Sequence, residues 1–147
     1  MDLLQELNEP QRQAVETVDG PVLMLAGAGS GKTKALTHRI AYLVAEKKVS
    51  PTDILAVTFT NKAAGEMRTR VLQLLGQSPN NRSFLPFMGT FHSICVRLLK
   101  REAAEIQLPS NFVIFDSQDS LSAIKQAMRS LGVNEREFAP RMIQGLI

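Results

Sequence analysis

The fold is decided by the stretch Ala26-Gly27-Ala28-Gly29-Ser30-Gly31-Lys32-Thr33. A short apolar run at residues 22–25 precedes it and predicts a buried parallel strand. Apolar side chains recur at helical spacing after it, over residues 32–47. A glycine-rich loop between a strand and a helix is typical of phosphate binding, because glycines let several backbone N–H groups surround one phosphate. We therefore predict a nucleoside triphosphate site, with Lys32 on the β- and γ-phosphates and the Thr33 hydroxyl on Mg²⁺.

Short apolar runs and helical patterns alternate along most of the chain, which predicts a parallel sheet covered by helices. After residue 116 the pattern is purely helical. We therefore predict an α/β P-loop domain over residues 1–116 and the start of a helical unit over residues 117–147. Further strands are predicted at 54–57, 84–88 and 112–115, and helices at 10–18, 62–75, 91–106, 121–131 and near Met142.

The composition is that of a globular protein, with 44% apolar and 21% charged residues in a chain of 147. Its length suits a single domain of ordinary size. The single cysteine, Cys95, excludes an internal disulfide framework and a multi-cysteine metal site. No apolar stretch approaches the roughly 20 residues that cross a bilayer, and the acidic N-terminus lacks the basic start of a secretory signal. These features predict a soluble, cytoplasmic protein with no membrane partner.

Charge is unevenly distributed along the chain. Residues 54–101 carry seven lysines and arginines against the single acid Glu66, whereas residues 1–31 carry five acids and one base. A basic middle segment next to a phosphate-binding loop indicates a polyanionic partner. On charge alone, a set of solvated helix faces explains the segment equally well.

Two polar segments flank the first predicted strands. Gln11, within residues 7–15, has an amide donor and acceptor that suit the N6/N7 edge of adenine, although an exposed helical glutamine is usually only solvated. After the second strand, Phe59 lies beside Asn61 and Lys62, which offers a ring for a nucleic-acid base and donors for phosphate. The alternative places Asn61 as a helix cap and Phe59 in the core.

A third segment, residues 89–95, follows the predicted strand at 84–88. Thr90 and Ser93 suit phosphate binding at a helix N-terminus, and His92 suits stacking or hydrogen-bond donation. The alternative is a structural histidine. Cys95 falls on the apolar helix face and is predicted to be a core residue.

Together these segments resemble the N-terminal part of superfamily 1 DNA helicases of the UvrD/Rep/PcrA type. Gln11 matches the Q motif, residues 26–33 match motif I with alanine in its first position, and residues 57–64 and 89–93 match motifs Ia and Ib. The resemblance implies a partial RecA-like domain that binds ATP and Mg²⁺, followed by the start of a helical accessory insertion. It further implies that Arg39 lies beside the adenine. The residues that it places on single-stranded DNA are Phe59, Asn61, Lys62, Thr90 and His92.

The implied parent protein is an ATP-dependent DNA helicase that moves 3′ to 5′ on single strands at a duplex junction. DNA repair, replication restart and plasmid replication stay open as its pathway. The chain has no Asp-Glu dipeptide, and Asp116 is followed by Ser117, which predicts a helix cap rather than a Mg²⁺ ligand. We therefore interpret the chain as a fragment that binds but does not hydrolyse ATP, with the rest of the parent chain completing the site. The alternative is a stand-alone nucleotide- and nucleic-acid-binding module without turnover.

Overall fold

The computed structural model describes residues 2–81, 83–109 and 111–147. Arg82, one of the seven bases of the segment 54–101, lies outside the described residues. The chain forms two compact units, of which the first ends at Arg101 and the second extends from Glu102 to Ile147. This division comes earlier than the domain boundary predicted after residue 116, and the assignment of the later part to a helical insertion stays a prediction.

Within its described residues, the first unit contains four helices, a 3-10 turn and two strands. In chain order these are α1 (Glu9–Glu16), α2 (Lys32–Ala45), the turn (Pro51–Asp53), β1 (Ala56–Thr58), α3 (Asn61–Leu74), β2 (Met88–Thr90) and α4 (Phe91–Arg101). The second unit contains α5 (Ser117–Ser130) and α6 (Pro140–Gln144). The predicted helices are confirmed to within a few residues, except that the helix expected at 91–106 ends at Arg101.

The two strands run parallel, with Ala56 opposite Met88 and Thr58 opposite Thr90. Helix α3 connects them, and α4 starts directly after β2. Since parallel strands end at the same edge of a sheet, the short loop that follows β1 and the start of α4 that follows β2 both lie at that edge. The predicted fold class, a partial RecA-like α/β domain with a parallel sheet flanked by helices, is confirmed.

The core of the first unit lies between α2, α3 and the sheet. Leu85 and Val71 are completely buried, and each contributes about 1.5–3 kcal/mol of hydrophobic stabilisation. The Arg68 side chain on α3 donates to the Leu85 carbonyl over 2.9 Å and also to the Met88 carbonyl, which ties the segment before β2 to α3. The core residues are Ile40, Ile54, Ala56, Met67, Val71, Leu85 and Met88.

The strand predictions at 22–25 and 112–115 are wrong, because both segments lack strand structure in this molecule. Leu23 and Leu25 are 82% and 86% exposed. A parallel strand needs a hydrogen-bonded neighbour, and in the described part of the chain the only ladder joins β1 to β2. The strand predicted at 84–88 is displaced: its first residues form turns, and the ladder starts at Met88, beyond Pro86.

Two local predictions have opposite outcomes. The Asp116 carboxylate caps α5, accepting from the backbone N–H groups of Gln118 over 2.7 Å and Asp119 over 2.8 Å, as predicted. Cys95, predicted as a core residue, is only half-buried. Across the ranges that the structure describes, no helix has both the length and the apolar character to cross a membrane.

Candidate functional site

The glycine-rich loop ends where α2 begins. Gly29 and Gly31 have left-handed backbones, with φ of 76° and 83°. The Ser30 hydroxyl donates to the Gly27 carbonyl over 2.7 Å and closes the turn. Such a conformation directs successive N–H groups inward, and the adjacent helix N-terminus adds a partial positive charge. The backbone therefore has the form that an anionic phosphate requires.

The two side chains predicted to act on the nucleotide follow the loop directly. Lys32 Nζ donates to the carbonyls of Ala26 over 2.7 Å and Gly27 over 2.6 Å, so the ammonium lies across the loop. One of its three N–H donors is left for a further acceptor. Thr33 is exposed in the first turn of α2, where its hydroxyl is open to a metal ion.

Gln11 connects α1 to the loop. Its backbone N–H donates to Asn8 Oδ1 over 3.0 Å, and its Oε1 accepts from the Asn8 backbone N–H over 3.2 Å. This is a capping box at the start of α1. The other end of the amide, Nε2, donates to the Ser30 carbonyl over 3.0 Å. The residue predicted to contact the base thus contacts the glycine-rich loop directly.

Three basic side chains of α2 and α3 belong to this part of the molecule: one holds the end of α1, and two line a recess next to the glycine-rich loop. The Arg39 guanidinium donates to the carbonyls of Ala14 and Thr17 and holds the end of α1. Its predicted place beside adenine stays a prediction. Lys34 and Arg70 line the recess next to the loop, and sequence reasoning singled out neither. Arg70 is far from the loop in sequence, and only the packing of α3 on α2 brings it there. The recess is lined by Gly29, Ser30, Gly31, Lys32, Thr33, Lys34 and Arg70.

The loop after β1 presents its aromatic ring to solvent. Phe59 is fully exposed, at 103% relative exposure. Thr60 caps α3, because its hydroxyl accepts from the Ala63 N–H over 3.1 Å. Asn61 and Lys62 are exposed in the first turn of the helix. The alternative that placed Phe59 in the core and Asn61 as the cap is therefore wrong.

The end of β2 and the first turn of α4 hold one buried and one exposed candidate. Thr90 is 9% exposed, and its hydroxyl accepts from the Ser93 N–H over 3.2 Å. His92 is exposed, with its ring edge-to-face against Phe91 at 6.4 Å between centroids. The structure therefore leaves His92 more accessible than Thr90 to a nucleic-acid strand that passes over this edge of the sheet.

A groove of about 630 Å³ lies between α3 and α4 below this edge. Asn61 in the first turn of α3 and Ser93 in the first turn of α4 both line it. Arg97 and Asn80 also line it, and sequence reasoning did not single them out as contacts. The only signal for Arg97 was its place in the basic segment 54–101.

No group of three or more His, Cys, Asp or Glu side chains converges on a metal site within the described residues. The exposed Thr33 hydroxyl could hold a Mg²⁺ ion together with phosphate oxygens and water, which is a common way for proteins to bind this ion. The residues present fit a metal that arrives with its nucleotide.

Comparison with known proteins assigns the chain to one family. The family model described as the UvrD/REP helicase N-terminal domain matches residues 7–147. The chain belongs to this helicase family, as its four motifs predicted.

Among curated proteins, the chain is similar to the ATP-dependent DNA helicase PcrA of Staphylococcus epidermidis and to that of Staphylococcus aureus. Each is 50% identical over 145 residues, a match that covers 99% of this chain and 19% of the relative. The chain thus spans about a fifth of the length of the curated relatives that it matches.

Proposed function

We propose that this chain is the ATP-binding part of a DNA helicase motor that moves 3′ to 5′ along single-stranded DNA up to a duplex junction. The observation that carries the proposal is the contact between Gln11 and the glycine-rich loop at the start of α2. It joins a base-recognising amide to a phosphate-binding backbone. The helicase names of the relatives supply the reaction class.

For ATP, the backbone of residues 26–31 surrounds the phosphates, and Lys32 exchanges its loop carbonyls for phosphate oxygens. Thr33 holds Mg²⁺ with the nucleotide, and Gln11 pairs with the adenine edge. Arg70 adds positive charge to the same recess, whereas the Lys34 ammonium is paired with the Glu6 carboxylate at 3.4 Å. Arg39 contributes by holding the end of α1, because its guanidinium donates to the Ala14 carbonyl.

For DNA, the exposed Phe59 ring stacks on a base, and Asn61 and Lys62 contact the adjoining phosphates. His92 approaches the same DNA strand from the first turn of α4. Thr90, which is buried and accepts from the Ser93 N–H, acts mainly by fixing the start of α4. The DNA strand passes over the edge of the sheet at which β1 and β2 both end.

The chain as it stands holds ATP without hydrolysing it. Hydrolysis needs a carboxylate that orients the attacking water, and this sequence has no Asp-Glu pair. Asp116 follows an apolar run, as a Mg²⁺-binding aspartate would, but its carboxylate caps α5 by accepting from backbone N–H groups. The missing groups come from the remainder of the parent chain.

Titration of fluorescent ATP into the purified chain tests the proposal. Lys32→Ala should abolish detectable binding, since a hydrogen bond to a charged group contributes about 1.5–3 kcal/mol to affinity that is already weak. Lys47→Ala is the matched control, because Lys47 follows the other end of α2, roughly 20 Å away along the helix. Equal affinity of wild type and Lys32→Ala would refute the role of the loop.

A phosphate-release assay, with and without single-stranded DNA, tests the absence of turnover. Lys32→Ala serves there as the control for contaminating enzymes. The expected rate for both proteins is the background rate. DNA-stimulated release that disappears in Lys32→Ala would show that the chain carries a complete hydrolytic site.

A further inference from the structure

The groove between α3 and α4 has two facing walls of polar positions. On α3, Asn61 and Gly65 are four residues apart, and on α4, Ser93 and Arg97 have the same spacing, so each pair lies on one face of its helix. Both pairs start in the first turn of their helix, at the edge of the sheet where β1 and β2 end. The groove therefore continues from the edge proposed to bind DNA and runs along the two helices.

The chemistry of the groove favours an anion. Among the described residues that line it, none is acidic. Arg97 is exposed, and within the described part of the chain no hydrogen-bond or ion-pair partner holds its guanidinium. The amides of Asn61 and Asn80 add further N–H donors. A guanidinium with amide donors beside it suits phosphate oxygens, which accept from its planar fork of N–H groups.

The hydroxyl groups in the groove have less to offer an anion, because their protons are already used. Ser93 Oγ donates to the Thr90 carbonyl over 2.9 Å, and Thr69 Oγ1 donates to the Gly65 carbonyl over 3.0 Å. Arg97 therefore supplies the charge and the donors that these hydroxyls cannot.

We propose that this groove is a second contact site for the DNA strand, in which Arg97 binds a phosphate beyond the nucleotide that stacks on Phe59. The proposal rests on the proposed function, since it assumes that single-stranded DNA lies on the edge that carries Phe59 and His92. Arg97 follows Ser93 by about 6 Å along α4, so the strand reaches it by turning from the edge into the groove. Asn61 belongs to both the edge and the groove, which makes the two contact sites continuous.

Fluorescence anisotropy with a labelled oligothymidine at several salt concentrations tests the proposal on the whole chain. Loss of one phosphate contact should reduce the log–log salt slope by about 0.7, so the loss of affinity in Arg97→Gln should be roughly 8-fold larger at about 50 mM salt than at about 1 M. Arg97→Lys keeps the charge and should keep the slope. Lys47→Gln removes one charge just after the far end of α2, and this matched control should keep both affinity and slope.

Gly65→Glu and Gly65→Gln test the groove from its other wall. A Cβ on Gly65 would meet no atom within 4 Å, and both new side chains suit a helix, so both variants should fold. The two side chains have nearly the same size and differ in charge. Gly65→Glu should therefore bind the oligothymidine more weakly than Gly65→Gln, and the difference should fade at high salt.

The outcomes separate the groove from the edge. Arg97 is exposed, so its variants should melt at the wild-type temperature. Either a wild-type salt slope in Arg97→Gln or equal affinity of the two Gly65 variants, with Phe59→Ala still weakening binding, would overturn the groove site alone. No binding of the oligothymidine by wild type at low salt would overturn the proposed function instead.

Discussion

Phe59→Ala separates a DNA-binding ring from a structural one. The Phe59 side chain is fully exposed, so its removal takes no apolar surface out of a packed environment. Substitutions at such positions change the free energy of unfolding by no more than about 0.5 kcal/mol. We therefore expect Phe59→Ala to melt at the wild-type temperature.

The expected effect on DNA affinity is larger. Stacking of one base on an aromatic ring contributes about 1–3 kcal/mol, which corresponds to roughly 5- to 150-fold in the dissociation constant. The substitution leaves the proposed phosphate contacts of Asn61 and Lys62 in place, so binding should weaken without being lost. The salt dependence should stay the same, because the ring carries no charge.

Fluorescence anisotropy with a labelled oligothymidine at fixed salt measures this affinity. Phe138→Ala is the matched control, since Phe138 is also exposed, at 49%, but belongs to the second unit, away from the motif loops in sequence. Its DNA affinity should equal that of wild type. An unchanged affinity of Phe59→Ala, or a loss accompanied by a lower melting temperature, would refute the stacking argument.

Three further predictions concern the loop, the core and the basic segment. Gly31→Ala places a Cβ 2.5 Å from Gln11 Nε2 at a φ of 83°, so it should lower both thermal stability and the affinity for ATP, as melting curves and nucleotide titration can show. Leu85→Ala empties a fully buried site and should cost about 2–5 kcal/mol in urea unfolding. Affinity for single-stranded DNA should fall with salt, with a log–log slope of about −0.7 for each phosphate neutralised.

The helices were predictable from sequence because their signals are local. Asp116 bonds to N–H groups two and three residues ahead, and the apolar stripe of α2 repeats within its own length. The strands depend on partners far away along the chain. The apolar run at 22–25 has the composition of a strand, but composition cannot supply the neighbouring backbone that a strand requires.

The candidate sites show the same division between local and distant information. Thr60 and Asn61 are both good capping residues, so sequence alone could not decide which one caps α3 or whether Phe59 turns inward. Arg70 approaches the glycine-rich loop only because α3 packs beside α2. A pattern in a single sequence does not give the distance between Arg70 and the loop.

The four motifs share one structural position, since each lies at the start of a helix. At α1, α3 and α4 a side chain bonds to a first-turn N–H: Asn8 to that of Gln11, Thr60 to that of Ala63 and Thr90 to that of Ser93. Helix α2 differs, because its first residue follows Gly31 and no side chain caps it. Helix N-termini leave four N–H groups without intrahelical partners, and these attract anions when no side chain takes them. The uncapped start of α2 therefore offers an anion the most unpaired N–H groups, while Phe59 and His92 at the capped starts of α3 and α4 are exposed, as their proposed contacts with DNA require.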